Sequence, residues 1–234
     1  MHELIRYISP YNPTFGSEIR GASTEEIRLL QKAAGRALPF AYRTFLLSMG
    51  HGTGGLPLAF DASTDISDTT SYYTELGGAR NADFPEQYLL IGCMGNAVEE
   101  TYISSSEEAP GTQVFHTGFD LNTPYAPYAR SLRGLLFRLA FHRYRITAFP
   151  HAVEYSSVRR HPIVNKAANA ARNLGFTALW FSDEISYCGE REDLALTINQ
   201  FYADSPLMVL AGEHAQECKT VGKRLAKELD LKKI

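Results

Sequence analysis

Three cysteines and seven histidines are the residues of this 234-residue chain best suited to nucleophilic or metal chemistry. The histidines (His2, His51, His116, His142, His151, His161, His214) show neither HExxH nor HxH spacing, the arrangements that bring two imidazoles to one face of an element. Cys93, Cys188 and Cys218 form no CxxC pair, which excludes a zinc-ribbon or thioredoxin-like motif. Cys93 and His116 fall on candidate neighbouring strands, where a Cys–His nucleophile pair could form. A cysteine beside an apolar strand more often packs as a small hydrophobe. The run Gly50-His-Gly-Thr-Gly-Gly55 has neither the lysine nor the following helix of a phosphate loop, and Gly222-Lys223 lies inside a helical pattern. These residues predict no catalytic set, no metal and no cofactor.

Charge is the stronger signal. Residues 61–120 hold eleven acids against one base, Arg80, a net of −10 that leaves +7 for the rest of the chain. Residues 128–172 reverse the sign, with nine bases against Glu154 alone. Such segregation bears on partners and association rates rather than on fold. The acids can face a basic partner, or pair with the arginines of the following helix; both readings stay open here. The arginines carry no RRM, KH or helix-turn-helix signature, so nucleic acid is not the expected partner. Residues 1–13 lack the basic start and apolar run of a secretion signal, and no stretch approaches the roughly 18 apolar residues of a membrane span. A cytoplasmic protein with free, buried thiols is expected.

The elements that position these groups follow from capping and periodicity. Ser23 and Glu26 have capping-box spacing, and Ile27, Leu30 and Ala34 share one helical face. A second helix is predicted from Leu38-Pro39, with Phe45, Leu46 and Met49 apolar and Gly50 as its stop. Residues 56–60 are a strand candidate and residues 61–84 a long polar loop. Strands at 88–92, around Tyr102-Ile103 and at 113–116 predict an antiparallel set. Ser131 caps a helix bearing Leu132, Leu135, Leu136 and Leu139. The pattern then restarts, with strands near 152–155 and 177–181, a helix from Pro162 to Leu174, and a strand at 185–188. Residues 193–202 fit a helix or a strand; helix is preferred, because 207–210 then supplies the last strand. The result is α+β: a first unit, 1–147, and a ferredoxin-like βαββαβ unit, 148–234, with an added C-terminal helix from His214 to Leu229.

The first unit resembles the SUKH superfamily, which includes Smi/Knr-type regulators and many bacterial immunity proteins. The resemblance covers about residues 15–145. It rests on the Glu25-Glu26-Ile27 helix, then Leu38-Pro39 with Tyr42 and Phe45-Leu46, then Gly54-Gly55. Tyr88-Leu-Leu-Ile-Gly92, Val114-Phe-His116 and Ser131-Leu132 with Leu135-Leu136 follow in order. It departs at Gly52-Thr53, where the family often has asparagine before the paired glycines, and in its long central loop. Residues 150–234 resemble no family. The resemblance implies an antiparallel sheet with helices and a non-catalytic, protein-binding role, in bacteria as immunity proteins that neutralise a toxin by direct contact. Joined to the charge pattern, it predicts an acidic contact surface for a basic, nuclease-like toxin domain. Its residues are Asp61, Asp65, Asp68, Glu75, Asp83, Glu86 and Glu99, with Tyr72, Tyr73, Phe84 and Tyr102 as aromatic anchors. The alternatives are a regulatory scaffold without a toxin, and a ligand-binding or catalytic use of the C-terminal unit near Cys188, His161 and Trp180.

Overall fold

The computed structural model describes residues 1–58, 62–75, 86–93, 100–105, 112–117, 125–157, 162–200 and 206–234. The first half runs α1 (His2–Ile8), α2 (Phe15–Glu18), β1 (Ile19–Arg20), α3 (Thr24–Ala34), α4 (Phe40–Met49), β2 (Gly52–Thr53) and α5 (Ile66–Glu75). A four-stranded antiparallel sheet follows in the order β3 (Tyr88–Gly92), β4 (Thr101–Ser104), β5 (Val114–Thr117), β6 (Tyr125–Ala129). Helix α6 (Leu132–Ala140) continues into a π-helical stretch, Phe141–Ile146. The second half comprises β7 (His151–Ser156), α7 (Val164–Asn173), β8 (Thr177–Ala178), β9 (Ser186–Arg191), β10 (Leu194–Asn199), β11 (Leu207–Gly212), α8 (Ala215–Leu229) and β12 (Lys232–Lys233). Its six strands lie in the order β12-β7-β11-β10-β9-β8, every neighbour antiparallel.

Local chemistry sets several of these boundaries. The Ser23 hydroxyl accepts from Glu26 N, and the Glu26 carboxylate accepts in return from Ser23 N at 2.8 Å, so the capping box is complete. Ser131 Oγ accepts from Gly134 N at 3.0 Å and starts α6. A cap of this kind stabilises a helix by about 1 kcal/mol. Pro39 is the cap residue of α4 rather than its first helical residue. Gly54 has φ +63, and a Cβ there would sit 2.5 Å from the Phe15 ring, so both conformation and space demand glycine.

The α+β class is as expected, but several elements differ. The described part of 193–202, up to residue 200, does not form the expected helix: β10 pairs along six residues with β9 on one side and β11 on the other. The period-2 reading is the one realised: Leu194, Leu196 and Ile198 enter one core while Ala195 enters another. A ferredoxin-like unit needs a helix there, so the described order becomes β-α-β-β-β-β-α-β. The expected loop at 61–84 contains α5, whose buried Ile66, Thr69 and Tyr73 recur at helical spacing under an otherwise polar surface. The expected strand at 56–60 is absent over its described part, although Leu56 and Leu58 are buried. Neither α1 nor β6 is predicted by the sequence; Pro127 sits on β6, the edge of its sheet, where a missing N–H is tolerated.

The packing crosses the 147/148 boundary. One core joins α1, α3, α4, α5, the first sheet and α6 to Phe181, Cys188, Ala195, Val209 and Ala211 of the second half. The other core lies between the opposite face of the second sheet and helices α7 and α8. Arg138, 4% exposed, spans the seam: Nη1 donates to Ser186 Oγ at 2.7 Å and Nη2 to Tyr128 O at 2.8 Å. Arg145 Nε donates to Glu190 Oε1 at 2.6 Å nearby. Arg138→Ala strands these buried acceptors and is expected to cost about 3 kcal/mol. Urea unfolding followed by tryptophan fluorescence and by far-ultraviolet circular dichroism should give coincident transitions in both wild type and variant. Separate transitions in the wild type would show that the shared core does not couple the halves.

Candidate binding surface

Helices α3 and α5 pack against each other, and the glycine connection after α4 places His51 between their starts. His51 Nε2 lies 2.8 Å from Glu26 Oε1, and Nδ1 lies 3.2 Å from Asp65 Oδ2. Both carboxylates also fix helix starts. Glu26 closes the capping box of α3, and Asp65 Oδ1 accepts from Ser67 N at 2.8 Å in the first turn of α5. Hydrogen bonds from the Ser23 backbone and side chain, then from His51, hold the Glu26 carboxyl at about 2. The hydrogen bond to Asp65, against a smaller desolvation and with help from Glu26, raises the His51 imidazole above its ordinary value. With His51 protonated or neutral, the two carboxylates leave the cluster net negative.

Farther along α5, Asp68 is exposed and accepts from Ser63 Oγ at 2.5 Å, and Glu75 is exposed at the helix end. The hydroxyls of Tyr72 and Tyr102 donate to the two oxygens of Glu100. Burial, then the adjacent Glu100, pushes the Tyr72 hydroxyl up. Glu86 is exposed, and its carbonyl accepts from Arg36 Nη1 at 2.6 Å and Ser105 Oγ at 2.9 Å. Two of the expected aromatic anchors are not surface groups. Tyr73 and Tyr102 are each 2% exposed; the Tyr73 oxygen accepts from Leu90 N at 2.8 Å and fastens α5 to β3. Their apolar rings complete the core, so contact with a partner falls to other residues. Asp61, Asp83, Phe84 and Glu99 lie outside the described residues.

Three arginines on or flanking the closing helix reach acids elsewhere. Arg133 pairs with Glu3, Arg145 with Glu190, and Arg130 with Glu184 at 3.9 Å. None of those three acids belongs to 61–120. Sequence spacing gave no sign of the His51 cluster, whose members stand 25 and 14 residues apart. A histidine inside a glycine connection beside a capping box was the available clue.

The nucleophile candidates are tuned away from reactivity. Burial, with Asp68 and Glu100 adding to it, pushes the Cys93 thiol up to about 11, and burial pushes the His116 imidazole down to about 4. A working Cys–His pair requires the opposite shifts. His116 Nδ1 instead meets Thr101 Oγ1 at 3.1 Å, and its ring lies 3.9 Å from that of Tyr128. Cys188 is fully buried and burial moves it up to about 12. His161 lies outside the described residues, while Trp180 is 55% exposed. Among the described residues, no group of three or more His, Cys, Asp or Glu side chains could hold a metal ion. No helix among them is long and apolar enough to cross a membrane.

The His51 cluster predicts a pH dependence. The raised His51 value contributes stability that is complete below its ordinary 6.5 and fades as pH rises through the folded-state value. The depressed Glu26 value contributes stability that is complete above 4.5 and fades as pH falls toward about 2. His51→Gln should therefore lower the urea midpoint more at about pH 5.5 than at about pH 8.5. Equal losses at both would mean that His51 is not charged in the fold. No family model matches the chain, and no curated protein or solved structure matches it.

Proposed function

We propose that this chain is a non-catalytic protein-binding protein of SUKH type, acting in the cytoplasm as an immunity protein against a basic, nuclease-like toxin domain. The order of motifs through residues 15–145 supports the family reading. The observation that carries the binding reading is the fate of the charges. Asp68, Glu75 and Glu86 stand exposed, Asp65 shares one imidazole with Glu26, and Arg130, Arg133 and Arg145 are engaged with acids outside the segment. The negative field on the α5 side thus remains available to a partner. Complementary charge raises encounter rates and selects partners, while affinity comes from a few well-packed contacts. Tyr72, half-buried against Glu100, is the described aromatic of this surface best placed to make one.

The test is binding and growth protection with the toxin-like product of the adjacent gene. Asp68→Lys with Glu75→Lys alters two exposed positions and should slow association about tenfold at low salt, with a weaker dependence on ionic strength. Surface plasmon resonance across a salt series measures both. Protection that survives the double reversal with unchanged association would remove the acidic surface from the mechanism. A neighbouring gene that encodes no toxin would remove the immunity role.

A further inference from the structure

The sequence pointed to the acidic segment for aromatic anchors, but among the described residues the most exposed aromatic side chains lie elsewhere. Phe40, on the first turn of α4, is 71% exposed, and Trp180 is 55% exposed. Between α1, α4 and α6 a groove of about 230 Å³ opens beside them. Its walls are Leu4, Phe40, Phe45, Leu132, Leu136 and Phe137, and its polar groups are Glu3, Thr44 and Arg133. The Thr44 hydroxyl is turned away, donating to Phe40 O at 2.9 Å. Among the lining side chains that leaves the Arg133–Glu3 ion pair on an apolar cleft, the composition of a small-molecule site in which a few polar groups fix orientation.

The ion pair is asymmetric. The Arg133 guanidinium is held over the Trp180 ring at 4.3 Å and near the Phe137 ring at 5.8 Å, so two aromatic faces fix its position. Glu3 has no such support, and its carboxyl is held low by Arg133, with Arg6 adding to it. Two arginines therefore act on one carboxylate at the mouth of the groove, and the local balance favours an incoming anion. Arg133 and Glu3 are 61% and 59% exposed. An exposed pair of that kind contributes little and exchanges readily. The volume lies below the roughly 300–1,000 Å³ of pockets for drug-sized ligands, so the occupant is one short chain or one ring. A protein interface would need about 800 Å² on this side.

We propose that this groove binds a small amphipathic carboxylate, its apolar body against Phe40, Phe45, Leu136 and Phe137 and its carboxylate on Arg133 in place of Glu3. The site is independent of the acidic surface, and its success or failure leaves the toxin-binding reading untouched. Trp180 is the single tryptophan of the chain and stacks on the anion-binding group, so its emission reports occupancy directly.

The experiment titrates the full chain with decanoate, decan-1-ol and decylammonium, each below its micellar concentration, by calorimetry and Trp180 emission. Decanoate should bind saturably, about tenfold or more tighter than either other probe, the difference expected of a hydrogen-bonded charge. Arg133→Gln should remove that advantage and leave decanol binding unchanged. Ala41→Leu, which fills the groove from α4, should weaken decanoate and decanol alike; Thr44→Leu serves the same purpose if the first variant folds poorly. Absence of saturable decanoate binding overturns the proposal. So does decylammonium binding as tightly as decanoate, or an Arg133→Gln variant that keeps the preference.

Discussion

The second sheet is apolar on both faces, and that constraint organises the molecule. Along β10 and β11 alternate residues enter different cores: Leu194, Leu196, Ile198, Met208 and Leu210 face α7 and α8, while Ala195, Val209 and Ala211 face the other way. A sheet of this kind must be covered twice. Its own half supplies α7 and α8 for one side. The other side is covered by the π-helical stretch that follows α6, with Arg138 of α6 reaching Ser186. Small side chains on that face allow the helix to approach closely. The two halves are thus layers of one packed body.

Burial of the seam explains where the arginines go. A guanidinium carried into it must find acceptors, because an unpaired buried charge is costly. Arg138 finds Ser186 and Tyr128, and Arg145 finds Glu190. Two members of the basic block, Arg138 and Arg145, are thus accounted for by the joining of the second sheet to α6. Among the described residues of the acidic block, Asp65 meets an imidazole, Asp68 a serine hydroxyl and Glu100 two tyrosine hydroxyls. Hydroxyl partners order a carboxylate without cancelling its charge. Asp68 and Glu75 therefore keep their charge exposed on α5.

The exposed aromatics fit the same division. Tyr73 and Tyr102 are drawn inward because α5 and the first sheet need apolar mass between them. Phe40 and Trp180 remain outside, on either side of Arg133 and a cleft that α1 helps to form. Helix α1 carries no strong periodic pattern, and without it that cleft would have only two walls.

Caps and dominant periodicities were legible in the chain itself. The Ser23–Glu26 box, the Ser131 cap and its leucine stripe, the strands at 88–92 and 207–210, and the long terminal helix are local signals that tertiary packing reinforces. The −10 charge of residues 61–120 was equally plain, since charge needs no fold to be counted. Tertiary structure decided the rest. Residues 194–199 suit either period, and only neighbouring strands on both edges select the extended form. The α5 sequence is rich in serine and threonine, weak helix formers, and its three buried positions matter only once α3 lies beneath them. His51, Glu26 and Asp65 meet because two helix starts converge, a contact between distant segments that no spacing rule encodes. Sequence fixes which groups must be capped, buried or charged; which of them become neighbours depends on the closing of layers.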